Sequence, residues 1–200
     1  MSMQNTQDII TKFELYFGDE TSLSSAEELD LLQKKYDDVL HSEEWEFLKK
    51  TATGSISGTD ITQPADFDRM TTDQVIYLGN ANRNYIVVPF TDRRKYVNQN
   101  GVFYYDALNE KFVSMMSQSD TYSFDYIYTP PALDLASSNP VFPTRFYDML
   151  YHAMCLDADI INMSDKARSY ASLNLKMYND TLDDMKSWNK KLSGFQTYGV

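Results

Sequence analysis

The residues that carry most protein chemistry are nearly missing: one cysteine, Cys155, and two histidines, His41 and His152, in 200 residues. One thiol cannot close an internal disulfide and supports neither a cysteine-rich metal site nor a redox pair, which points to synthesis in a reducing cytoplasm. Glycine and proline are scarce, at seven and six, and the chain has no Gly-rich phosphate loop and no nucleophile elbow. Long apolar runs are absent as well. No window approaches the roughly 20 residues of a membrane-spanning helix. Met1 to Thr11 is polar apart from Ile9 and Ile10 and lacks the basic and apolar regions of a signal peptide. The chain reads as soluble, with no membrane partner.

Positive charge is also short. Lys and Arg number 18 against 29 Asp and Glu, for a net charge of −11. The first fifty residues hold twelve acids and five bases, whereas residues 143–200 are balanced at seven each. Affinity for nucleic acid rests on cations that displace counterions from phosphates, so this balance excludes a sequence-reading DNA binder. A surface that repels phosphate still lets duplex DNA slide past without sticking.

What is present is patterned apolar residues. Ile9, Ile10, Phe13, Tyr16 and Phe17 fall near helical spacing before Gly18, which predicts a short amphipathic helix. Ser24 and Glu27 sit at capping-box spacing ahead of Leu29, Leu32, Tyr36, Val39 and Leu40, which predicts a second. From Phe47 to Tyr128 the signal changes to short β-branched and aromatic runs. Strands are expected over Leu48 to Ser57, Gln74 to Leu78, Tyr85 to Val88, Val102 to Tyr105 and Tyr122 to Tyr128, with a hairpin turn at Asn100-Gly101. Pro130-Pro131 and the stretch to Pro143 break regular structure. Two helices follow, the second over about Asp165 to Leu192 with Ala171, Leu175, Tyr178, Leu182 and Met185 as its stripe. The expected fold class is α+β: a helical bundle built from an N-terminal helix pair and a long C-terminal helix hairpin, with a central β-rich insertion. The divisions are 1–46 plus 143–192 for the helical core, 47–130 for the insertion, 131–142 for a linker and 193–200 for an extended tail.

Candidate chemistry is thin. Asp148, His152 and Cys155 share one side of a helix, as metal ligands can, but the surrounding face is apolar and a packed histidine is the simpler reading. Glu43 and Glu44, Asp37 and Asp38, and Asp183 and Asp184 are adjacent acids, which point in different directions on a helix and suit solvated faces better than glycoside hydrolysis. The one dense basic patch is Arg93-Arg94-Lys95, read as a protein contact or a solvated turn. Fifteen tyrosines exceed the needs of one small core and suit subunit contacts.

The order of elements resembles a known family. The helix pair ends in Trp45-Glu46-Phe47-Leu48-Lys49-Lys50, then comes Gln63-Pro64-Ala65-Asp66-Phe67-Asp68-Arg69-Met70, and Val141-Phe142-Pro143-Thr144-Arg145-Phe146 opens the closing helices. This combination is similar to the head-to-tail adaptors of short-tailed phages. The resemblance implies a structural virion protein, not an enzyme, without cofactors or metals. It implies a homo-oligomeric ring of about a dozen copies attached to the portal, with a tail nozzle or the next neck ring below and double-stranded DNA passing through. The C-terminal segment, with Phe195, Tyr198 and Val200, is then expected to grip the portal. Tyr122, Phe124, Tyr126, Arg93 and Arg94 are expected at a subunit or tail interface, and Glu27, Glu28, Asp37 and Asp38 toward the channel. The expected location is the virion neck, with assembly in the host cytoplasm. Two other readings stand beside this one: an acidic monomeric or dimeric module that mimics DNA toward a basic partner, and a wall-degrading hydrolase using two carboxylates.

Overall fold

The computed structural model describes residues 3–17, 23–136, 138–162 and 165–196, with backbone alone for 158–162, 165–169 and 194–196. It divides into a helical unit, Met1–Phe47 with Pro131–Val200, and a β unit, Leu48–Pro130.

The helical unit is arranged around α3, Tyr147–Asn162. Met149, Leu150, Ala153, Met154 and Cys155 are all buried, so apolar neighbours surround its first turns. α1, Thr6–Phe17, brings Ile9, Ile10, Phe13 and Phe17 to the core. α2, Ser25–His41, brings Leu32, Tyr36, Val39 and Leu40, and starts from a complete capping box in which Ser24 and Glu27 satisfy each other's backbone N–H groups. Ion pairs bind each helix to α3: Lys12 with Asp148, and Lys35 with Asp157 at 2.6 Å. The segment after Pro131 is pinned rather than loose, since Leu133 N–H donates to Gln33 Oε1, Val141 N–H to Tyr36 OH and Thr6 Oγ1 to Ser138 O.

α4, Asp165–Gln196, is twice as long as α3. Its N-terminal part packs on α3, and its far end is held by aromatic rings. Trp188 stacks on Phe47 at 5.7 Å and meets Phe146 at 5.6 Å, while Phe47 stacks on the fully buried Trp45. Asn189 locks this end, accepting from Glu46 N–H (2.7 Å) and donating to Glu44 O (3.1 Å). Trp45 Nε1–H donates to Val39 O, which ties the clamp to the end of α2.

The β unit is organised by β6, Lys111–Tyr128. On one edge β6 pairs along its length with β1, Lys49–Thr62. On the other it meets in turn β2 (Phe67–Met70), β3 (Val75–Leu78) and β5 (Val102–Asp106). β4, Arg83–Val88, joins β3 to β5. The circuit β6–β3–β4–β5–β6 closes a four-stranded barrel, with β1 and β2 attached outside the circuit. Ile56, Ile61, Ile76, Leu78, Phe103, Phe112 and Phe124 fill it. Two glycines have stereochemical reasons. Gly58 takes φ +118° at the register break where β1 bends, and a Cβ on Gly54 would lie 2.6 Å from the Tyr122 hydroxyl.

The expected fold class is therefore corrected. The β region, inserted in the chain between the two halves of the helical unit, is a closed barrel, and the helices are not a bundle of a pair plus a hairpin. α1 and α2 each pack on α3 far more than on each other, and α4 runs on beyond α3 to the aromatic clamp. Asn100-Gly101 is not a hairpin turn either. β4 and β5 run parallel, and parallel neighbours need a crossover, supplied by the 3-10 segment Phe90–Tyr96.

Gly54→Ala is expected to destabilise the barrel by about 1–3 kcal/mol through overpacking against Tyr122. In a double-mutant cycle, Tyr122→Val should absorb most of that loss, as measured by urea unfolding. Additive effects would break the link between the two positions.

Candidate functional site

The step from Gln63 to Met70 is a structural corner. Phe67 N–H donates to Pro64 O (3.1 Å), closing a β-turn over Pro64 to Phe67. Asp66 then serves three elements at once. One carboxylate oxygen accepts from Lys50 Nζ of β1 (2.6 Å) and the other from the Tyr126 hydroxyl of β6 (2.8 Å), while its carbonyl accepts from Thr129 N–H. These bonds hold the Asp66 carboxyl below its ordinary range. Burial, with the bond to Asp66 adding to it, pushes the Tyr126 phenol up to about 12. Phe67 turns inward against Tyr105, Phe112 and Tyr126. The corner fastens one end of the barrel.

The aromatic face expected on β6 lies inside the protomer. Phe124 and Tyr126 are buried core residues, and Tyr122 stacks on Phe124 and covers Gly54. Alternation along β6 does bury one face, but the barrel itself fills it. Arg93 and Arg94 lie in the crossover segment. Arg93 stacks its guanidinium on Phe90, 3.5 Å from the ring centroid, and donates to Phe90 O; Lys95 pairs with Asp92. Arg94 is exposed.

Of the four acids expected to face a channel, Glu27, Asp37 and Asp38 are exposed on α2 and Glu28 is not. Glu28 is 2% exposed, and its Oε2 has no hydrogen-bond partner. Burial raises its pKa, and the charge and hydrogen bond of Glu14 on α1 raise it further. A charged residue at helical phase with Leu32 faces the core, and the acidic run Glu27-Glu28 hid that phase. Tyr198 and Val200 lie outside the described residues, as does the side chain of Phe195, whose backbone continues α4.

His152 is a packed residue. Its Nδ1–H donates to Asn174 Oδ1 (3.0 Å), and Asn174 Nδ2 reaches Tyr16 OH at 3.4 Å. Burial lowers its pKa. Among the described residues no group of three His, Cys, Asp or Glu side chains is placed to hold a metal ion, and no helix is long and apolar enough to cross a membrane.

The family model of the SU10 adaptor protein matches residues 4–196, nearly the whole chain. The chain belongs to that family. Its members are phage head-to-tail adaptors, structural proteins of the virion neck that meet portal and tail proteins. No curated protein matches the chain. In this adaptor the charge is divided sharply between the units. The helical unit holds twenty acids and ten bases, the β unit nine and eight. Sequence reasoning missed Asp66 as the hub of the corner, although the Pro-Ala-Asp-Phe step marked it. It also missed the exposed apolar residues of α4, Tyr170, Leu173 and Met177, whose i, i+3, i+7 spacing was legible.

A raised folded pKa at Glu28 means that its contribution to stability is complete below the ordinary value near 4.5 and is lost as pH rises through the folded value. Glu28→Gln, which cannot ionise, should therefore gain on the wild type as pH rises above 4.5, by about 2–4 °C in Tm per ~1 kcal/mol. A Tm difference independent of pH would contradict this.

Proposed function

We propose that this adaptor assembles as a ring of about a dozen copies beneath the portal, continues the DNA channel and offers the tail its attachment site. The observation that carries the reading is the family match over residues 4–196. α4 supports it. One face turns Asn174 and Met185 into the protomer, with Tyr170 edge-on against Tyr16, while Leu173 and Leu175 stand exposed to either side of it. A helix apolar on two faces suits burial between protomers set side by side.

The acids support the channel. Glu27, Asp37 and Asp38 are exposed on one helix of a strongly acidic unit; turned to the lumen, they would keep duplex DNA mobile by repelling its phosphates. The nearly neutral barrel, with Arg93, Arg94 and Tyr122, is assigned to the contact with neighbouring subunits or the tail. Phe195, Tyr198 and Val200 are assigned to the portal. The ring forms on the portal in the host cytoplasm and remains in the virion.

Mixing the purified protein with the portal of the same genome and imaging the product by electron microscopy tests this. A ring of added density on the portal is expected, and a variant ending at Leu192 should lose it. Bare portals with the full-length chain would overturn the reading in favour of an acidic binding module, whose partner binding would weaken steeply with salt.

A further inference from the structure

β1, Lys49–Thr62, is the longest strand after β6 and ends the sheet on one side. β6 lies along one of its edges. Among the described residues no strand pairs with the other edge, and no backbone group outside β6 bonds to the backbone of residues 51–57. In an antiparallel ladder every second residue turns its N–H and C=O away from the partner strand, so this edge carries a row of donors and acceptors in solvent. Natural edges of such length are guarded by lysine side chains, proline or a covering element. Residues 51–59 hold no charge and no proline. The charges at either end are already paired, Lys50 with Asp66 and Asp60 with Lys111. The register break comes only after Gly58, so residues 49–58 run in step with β6.

The side chains leave the approach to this edge open. Thr51, Thr53, Ser55 and Ser57 are small and exposed, while Ile56 turns into the barrel core. Thr53 and Ser55 also line a recess of about 450 Å³ together with Tyr77, Gly79, Thr121 and Ser123. A strand laid beside β1 would stand alternate side chains next to Thr53 and Ser55. The hydroxyls around the recess suit a side chain there that can hydrogen-bond.

A row of backbone donors and acceptors at strand spacing selects its occupant, since the group that satisfies it is another strand. A second copy does not suit it. The matching edge of that copy is its own β1, and β1 laid antiparallel on β1 makes a two-fold contact that closes at two chains and cannot continue round a ring. β2, four residues long, cannot span residues 51–57. We propose that an extended, uncharged segment of the tail protein adds to the barrel as a strand along residues 51–57 of β1. This rests on the ring reading above and on the assignment of the barrel to the tail. It gives the tail contact to the backbone of β1, because the aromatic face of β6 is already filled within the protomer.

Amide hydrogen exchange on the portal-bound adaptor, before and after adding the purified tail protein of the same genome, tests the contact. The outward amides of residues 51–57 are expected to exchange fast at first and to slow by about tenfold or more once the tail protein docks. Thr53→Lys combined with Ser55→Lys, at two exposed positions where lysine guards an edge, should still give rings on the portal but capture the tail protein about tenfold less well. Rings that capture it while β1 keeps exchanging, rings that leave it unbound, or doubly substituted rings that capture it normally would each overturn the contact with the ring intact. Protection of residues 51–57 before the tail protein is added would overturn it too, with the portal or a neighbouring copy as the occupant. Portals left bare by the wild type would remove the ring reading and this contact with it.

Discussion

One strand decides the β unit. β6 uses both backbone edges over eighteen residues, so β1, β2, β3 and β5 all hang their ladders on it. Its two halves meet different neighbours, β5 at Lys111–Ser114 and β3 at Tyr122–Ser123. A strand that pairs at both ends of one circuit must bend, and that bend closes the barrel. β1 follows it by breaking register between Gly58 and Asp60. Gly54 and the Asp66 corner are consequences of this constraint: the first lets the Tyr122 ring lie across β1, and the second fastens the strand end that carries Tyr126.

The helical unit depends on a different arrangement, burial around α3. Three helices reach its core through ordinary apolar faces, but α4, at twice the length of α3, leaves a place at its far end for a second anchor. Aromatic rings take that place. Trp45, Phe47, Phe142, Phe146 and Trp188 form a chain of stacked and edge contacts, each adding about 0.5–1.5 kcal/mol beyond its burial. Trp45 and the run from Phe142 to Phe146 belong to the two segments that carried the family resemblance. Their physical role is to fix the last third of the long helix beside the start of α3.

The sequence was legible where burial imposes a local period, and silent where pairing is distant. The capping box at Ser24 and the stripe Leu32, Tyr36, Val39 and Leu40 follow from spacing alone. The first half of β6 did not show itself, because Ser117 to Thr121 is a polar stretch that interrupts the apolar pattern, held as strand by its partners. Barrel closure was invisible for the same reason, since Tyr77 opposite Ser123 joins positions that no local pattern links. On α4 the stripe holds at Ala171, Tyr178, Leu182 and Met185 and fails at Leu175. Asn174 is 4% exposed and Leu175 is 50% exposed, because the buried amide is occupied by His152 and Tyr16 and so fits where an apolar residue was expected. Phe124 and Tyr126 were expected at a subunit or tail interface because alternation reveals that one side of a strand is buried, but not whether the protomer or a partner buries it.

Net charge, too, becomes informative only after the fold assigns it. In the β unit most acids have structural work at short range. Asp60 binds Lys111, Asp66 binds Lys50 and Tyr126, and Asp120 accepts from the backbone N–H groups of Asn80 and Ala81. Those charges are neutralised or locally bonded, and with nine acids against eight bases the barrel projects little field. The excess of ten acids belongs to the helical unit. There Glu28 is withdrawn into the core, whereas Glu27, Asp37 and Asp38 remain in solvent. Screening limits the reach of such charges to about 8 Å at physiological ionic strength. A single protomer therefore acts only on what lies against α2. A ring would repeat such a patch at every copy, so that a duplex in the channel meets one wherever it approaches the wall, and the electrostatic function proposed for this helix is a property of the assembly and not of the chain alone.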